Sequence, residues 1–307
     1  SGLSHKAKMN VRITIPIIIK ILDLSPFGLI ILKNITGLIF IFLILKLFLL
    51  IVEDKYLSTL LTLSCTFIGF GKASTVDPSQ IFDGLSLMLV LGSFLLKNPF
   101  LIMISLIAGF FNDERTIISA FLFTLYYFQF NKSLKIKHDN RYPLLAFLSL
   151  IFFVSCRAYM QLKLGMHAPI DGVGFPQFLN QINSISIGYF MFLEGFWIIV
   201  LYSVYLVWSE NKKNPLFLFT IGSFLIGSLT SFLVFDHSRS LFYSFPIIFF
   251  GLSYIKPLLD YNKLKKIIIA TLIASALIPT ISFGGKNSYW THYALPTQII
   301  RMIFDRY

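Results

Sequence analysis

Two short polar segments carry the densest chemistry in this chain. The first is Phe111-Asn112-Asp113-Glu114-Arg115-Thr116. A polar run of this density between two apolar stretches has to face water, a substrate or a partner. Arg115 presents a planar fork that can hold a phosphate bidentately. Asp113 and Glu114 equally suit the first turn of a helix starting near Thr116, where the helix dipole favours anions. The second runs from Thr75 to Gly84, with Asp77 and Asp83 six residues apart. Asp83 falls where a loop enters an apolar run. A carboxylate at membrane depth is costly and marks a function or an ion pair. Asp77 precedes Pro78, so a helix cap and a chemical role weigh equally there.

Three further groups add to these. Asp236-His237-Ser238-Arg239-Ser240 sets a histidine and an arginine close together, as a pyrophosphate site would. It reads equally as a polar hairpin with Asp236 or Ser238 capping the next helix. Arg157 opens a Gly- and Pro-rich stretch holding His167 and Asp171, which could fold back over a site. Glu194 lies about nine residues into an apolar run. It faces a water-filled cavity, pairs with a buried base, or is protonated. The candidates for acid–base work are therefore Asp83, Asp113, Asp77 and Glu114. Those for holding a substrate are Arg115, Arg239, His237, Asp236, His167, Arg157 and Glu194. A divalent cation, were one used, would fall to Asp83 or Asp113.

The elements that must position these residues are membrane helices. The chain has 307 residues, 56% of them hydrophobic and 13% charged, with a mean hydropathy of +0.77. A soluble domain is nearer half apolar and a quarter charged. The excess comes in runs approaching the twenty or so residues that cross a bilayer. Residues 13–31, 34–52, 57–71, 81–96, 99–111, 116–130, 143–159, 185–208, 215–235, 240–255 and 266–282 are the expected spans. Residues 13–31 carry Lys20, Asp23 and Pro26, and span or lie in the interface. The fold expected is an all-α polytopic bundle of ten or eleven spans forming one domain over residues 1–307, with residues 1–10 a polar tail.

Lysine-rich segments at 131–141, 209–214 and 256–266 set the orientation. The positive-inside rule places them in the cytoplasm, with the N-terminus inside and the C-terminus outside. The outer side then receives the mixed acid, arginine and histidine segments. Asp83, Asp113, Glu114, Arg115, His237 and Arg239 would converge there on one cavity. The net charge of +12 is read as topology and contact with anionic headgroups, so membrane lipids and not nucleic acid are the expected partners. Cys65 and Cys156 show no metal-ligand spacing. No nucleophile elbow, zinc-protease motif or phosphate-binding loop is present.

The stretch from Asp77 to Phe128 resembles a region of bacterial multi-span glycosyltransferases of the GT-C class. The matching residues are Phe82-Asp83, Lys97-Asn98-Pro99 and Asp113-Glu114-Arg115-Thr116. Asp236 to Arg239 is similar to a late outer-loop motif of such proteins. The resemblance implies sugar transfer from a polyprenyl-phosphate carrier to a glycan or lipid acceptor, at the outer face of a bacterial inner membrane. It also implies an acidic residue of the first outer loop as base or metal ligand. Here that loop holds little, with Asp23 the nearest acid. Two rival readings remain. A lipid-linked oligosaccharide polymerase of the O-antigen or capsule type would rely on Arg157 and Arg239. A transporter or lipid flippase would need Glu194, Lys46 and Asp23 as a charge path.

Overall fold

The computed structural model describes residues 12–75, 81–130, 141–166, 174–209, 215–234, 237–284 and 287–304. In chain order the helices are α1 (Thr14–Leu22), α2 (Pro26–Val52), α3 (Lys55–Phe67), α4 (Gly69–Thr75), α5 (Ile81–Leu95), α6 (Pro99–Asn112), α7 (Thr116–Phe130) and α8 (Tyr142–Leu164). They continue as α9 (Phe175–Gln181), α10 (Ile185–Leu193), α11 (Trp197–Ser209), α12 (Pro215–Ser231), α13 (His237–Phe242), α14 (Ile247–Ile255) and α15 (Tyr261–Leu277). A hairpin of β1 (Thr280–Gly284) and β2 (Asn287–His292) follows, and then α16 (Leu295–Phe304).

The expected all-α class holds, with the hairpin as the departure from helix among the described residues. Among the described residues, three helical stretches are long and apolar enough to cross a membrane: Pro26–Val52, Tyr142–Leu164 and Phe175–Ser209. The last is nearly continuous through α9, α10 and α11. Shorter apolar helices cover Asp83–Leu95, Pro99–Asn112, Thr116–Phe130, Phe217–Ser231 and Ile247–Leu258.

The first two expected spans are redrawn. The chain breaks at Asp23, whose φ of 47° is left-handed, and Pro26 then opens a helix of 27 residues. Proline pre-sets the first helical φ and lacks the N–H that would be unpaired there. Leu32 and Lys33, left between the expected spans 13–31 and 34–52, lie inside that helix. Lys33 is buried, and Thr36 Oγ1 donates to its carbonyl. At a rise of about 1.5 Å per residue, the nine residues of α1 are too short to cross a hydrocarbon core of about 30 Å.

The chain divides into two compact units. One comprises residues 1–43 and 73–173, the other residues 44–72 and 174–307. In the first, α5, α6, α7 and α8 pack side by side, with α1 against α6. Its core is aromatic: Phe94 stacks on Phe123 at 4.6 Å and meets Tyr142 edge-on at 5.4 Å. In the second, α3 packs on α15, and α11 packs on α14 and α15. Phe48, Phe245 and Phe249 form part of its core. Both units show apolar side chains outward, for example Phe147 and Phe152 in the first and Leu201 and Ile226 in the second. Lipid is the solvent such surfaces fit.

Candidate functional site

The turn between α6 and α7 has three residues, Asp113 to Arg115, and its geometry follows from its sequence. Asp113 closes α6 in extended conformation, its amide bonded to the Gly109 carbonyl. Its Oδ1 then accepts the Arg115 backbone N–H at 3.0 Å, the local bond aspartate favours in turns. Thr116 Oγ1 donates back to the Gly109 carbonyl. The turn is therefore tied to both helices it joins. Close by, Asn112 Nδ2 donates to Ser86 Oγ at 2.7 Å, which fixes the start of α5 against the end of α6.

This brings Asp83 to the turn. Arg115 lays its fork on Asp113, Nε to Oδ1 at 2.8 Å and Nη2 to Oδ2 at 2.6 Å. Nη2 also reaches Asp83 Oδ1 at 3.0 Å. Arg12 adds a second guanidinium, 3.1 Å from Asp113 Oδ2. Both carboxylates are fully buried. Two acids against two arginines balance their charge, which a buried ionic cluster requires. Burial alone would raise the Asp113 pKa; the Arg115 guanidinium, its hydrogen bonds and Arg12 overcome that and hold it well below the usual carboxylate range.

A second pair lies beside the first and is more open. Arg157 Nη1 donates to Glu114 Oε2 at 3.2 Å, with the side chains 23% and 43% exposed. Arg157 also stands over the Phe153 ring. A single contact between accessible groups is worth only about 0–1 kcal/mol, so it exchanges readily for another anion.

Asp83, Asp113, Glu114, Arg115 and Arg157 are thus brought together within the first unit. Arg12 was missed in the sequence because it borders the polar N-terminal tail; its arginine type, next to an apolar helix start, was the available signal. His237, Arg239 and Glu194 belong to the other unit. Asp77, His167 and Asp236 lie outside the described residues.

In the second unit, His237 is buried on α13 with its ring 4.9 Å from that of Phe232. Burial pushes its imidazole down to about 4. Arg239, on the same helix, is partly exposed. Glu194 sits at a break in the helical stretch, where the backbone turns to φ 46° and ψ −118°. A non-glycine residue held there costs about 1–3 kcal/mol. Gly195 follows because a Cβ would collide with the Thr271 carbonyl and with Ser275 of α15. Thr280 Oγ1 donates to Glu194 Oε1 at 2.8 Å and accepts from Lys72 Nζ at 2.6 Å. The base expected for Glu194 is therefore Lys72, acting through a hydroxyl.

The metal expectation for Asp83 or Asp113 meets a poor fit. Among the described residues no three His, Cys, Asp or Glu side chains group to hold a metal ion. A cation near Asp83 and Asp113 would also have to displace the Arg115 fork. No protein-family model, no curated protein and no solved structure matches the chain.

Proposed function

We propose that the chain is a multi-pass membrane transferase that takes a sugar from a polyprenyl-phosphate-linked donor and passes it to a glycan or lipid acceptor. It works at the outer face of a bacterial inner membrane, with ten or so helical segments in the bilayer, the N-terminus inside and the C-terminus outside. The observation that carries this reading is the half-open Glu114–Arg157 pair, seated beside the buried Asp83–Arg115–Asp113–Arg12 cluster. The buried cluster fixes the α6–α7 turn; the open pair is free to change partners.

Arg157 exchanges Glu114 for the donor phosphate, a stronger charge-assisted contact. Glu114 is thereby released to accept the proton of an acceptor hydroxyl. The acceptor oxygen bonds to the sugar C1 as the C1–O(phosphate) bond breaks. Arg157 stabilises the charge gathering on the departing phosphate.

The test uses the full chain in nanodiscs, with undecaprenyl phosphate binding read by native mass spectrometry. Arg157→Ala should weaken binding about tenfold or more, the scale of a hydrogen bond to a charged group. Glu114→Gln should keep binding and lose sugar transfer in membranes supplied with polyprenyl-phosphate sugars. Undecaprenyl phosphate bound no better than phosphatidylglycerol, and unaffected by Arg157→Ala, would sink the proposal.

The polymerase reading shares this donor chemistry and is favoured by the exposure of both Arg157 and Arg239. Products longer than one added unit would select it. The charge path of a transporter is disfavoured, because Lys46 and Asp23 are exposed while Glu194 is buried against Lys72 and Thr280.

A further inference from the structure

The second unit holds a polar chain of atoms that the transfer reading does not use. Lys72 on α4, Thr280 on β1 and Glu194 at the α10–α11 break are all buried. They come from three separate parts of the sequence, so nothing local forces them together. Thr280 Oγ1 stands between the other two, accepting from Lys72 at 2.6 Å and donating to Glu194 at 2.8 Å. The first distance is short for its type and the second is ordinary. The Gly69 backbone amide faces the same carboxylate, and Glu194 Oε2 has no hydrogen bond of ordinary geometry. The carboxylate therefore sits at a strained turn with one oxygen unsatisfied. A purely structural ion pair would be expected to use both oxygens, since an unmet buried acceptor is destabilising.

From this geometry we propose that Lys72, Thr280 and Glu194 form a buried proton-exchange site bridged by the threonine hydroxyl. A proton leaves the Lys72 ammonium for Thr280 Oγ1 as the Thr280 hydroxyl proton passes to Glu194 Oε1. The ion pair becomes a neutral amine and a carboxylic acid, and the Thr280 hydroxyl is regenerated. The amine then takes a proton from water, so the site loads one proton in total and releases it by the reverse path. Entry is on the Lys72 side, which at 8% exposure is more open than Glu194 at 1%. The ligand is a proton and not a metal cation, because the Lys72 ammonium already holds the position a cation would take.

Among the described residues, the surrounding elements leave Lys72 as the charge acting on Glu194. On α13, His237 lies against Gly188 of α10 with its ring on Phe232, and Arg239 is on the same short helix. Cys65 is buried on α3. Lys263, Lys265 and Lys266 occupy the first turns of α15, ahead of the Thr271 and Ser275 that meet Gly195. Tyr189 on α10 bonds to Ser228, and α11 contributes Tyr202 and Tyr205.

The experiment is infrared difference spectroscopy on the full chain in detergent, stepped in pH and repeated in heavy water. The wild type should show the C=O band of a protonated carboxyl that titrates and that Glu194→Gln removes. Thr280→Val should slow deuterium exchange of that carboxyl about tenfold or more, the effect of losing one hydrogen-bonded link. Thr280→Ser should keep the wild-type rate. Lys72→Met, which leaves the hydroxyl in place, should hold the carboxyl protonated at every pH at which the wild type titrates. A Glu194 that stays ionised throughout, in the wild type or in Lys72→Met, overturns the proposal. So does exchange in Thr280→Val at the wild-type rate.

Discussion

Replacing Asp113 by alanine should loosen the α6–α7 turn far more than replacing its neighbour Glu114. Asp113 is fully buried, and its partners Arg115 and Arg12 are 14% and 18% exposed. Removing one member of a buried ion pair costs about 3–5 kcal/mol, because the remaining charge is left uncompensated. Asp83 still holds Arg115 at 3.0 Å, and both arginines touch some solvent, so the lower end, about 3 kcal/mol, applies. At about 1.4 kcal/mol per factor of ten, this multiplies the local opening constant by roughly 150. Glu114→Ala breaks only the open pair with Arg157, worth about 0–1 kcal/mol, or a factor of about five at most. The readout is amide deuterium exchange of the full chain, in peptides covering residues 109–118. The Asp113, Arg115 and Thr116 amides there bond to Gly109, to the Asp113 side chain and to the Asp113 carbonyl. Tryptophan fluorescence would not serve, since Trp197, Trp208 and Trp290 all lie in the other unit. Equal exchange in the two variants would refute the assignment of Asp113 as the buried anchor. The sign with pH follows. The folded pKa of Asp113 is lowered, so its contribution is present above the unfolded value near 3.9 and is lost as pH falls below it. Protection of these amides should hold from neutrality to about pH 5 and decline under stronger acid.

His237 gives the second unit a different acid dependence. Its folded value of about 4 lies below the unfolded value of about 6.5. Stability is therefore full above about pH 6.5 and falls as the pH drops toward 4. Tryptophan-detected unfolding should show that slope, and His237→Gln should flatten it. For orientation, in a background with Cys65 and Cys156 replaced by serine, an impermeant thiol reagent added outside cells should label a cysteine at Glu114 and spare one at Lys97. The reverse pattern would invert the topology and remove the outer-face placement of the transfer site.

Much of the helical layout was legible because apolar runs and their punctuation are local. Asn98-Pro99 and the polar run at 112–116 both mark real helix ends. Asn98 accepts the Phe100 amide as a cap, and Pro99 opens α6. The break expected just before residue 34 is absent for a physical reason. A lysine can lie within a helix, so Lys33 is a weaker breaker than Pro26 with a left-handed Asp23 before it. That Asp83 and Arg115 would come together was expected from their common depth, though as parts of one cavity and not as a direct ion pair. Two acids and one arginine were visible, whereas the second arginine, Arg12, sits about a hundred residues away in the chain. Glu194 announced itself as a costly buried charge. Its partners did not, because Lys72 and Thr280 reach it only through the packing of distant segments, and Thr280, expected near the end of a span at 266–282, stands instead on a strand beyond the helix, which ends at Leu277.

The way the chain is divided between its units also bears on how the protein is made. Residues 44–72 belong with residues 174–307, and α3 rests on α15 in the finished molecule. Roughly 190 residues separate those two helices in sequence, so at about 5–20 residues per second translation needs roughly 10–40 s to supply the partner. During that interval α3, whose Ser58, Thr62 and Ser64 are all buried in the end, is without the helix it packs on. The first unit, by contrast, has its last residues by position 173. Folding is then a problem of custody: an early segment must be held, by its neighbours in the chain or by a helper, until the C-terminal third of the chain arrives to claim it.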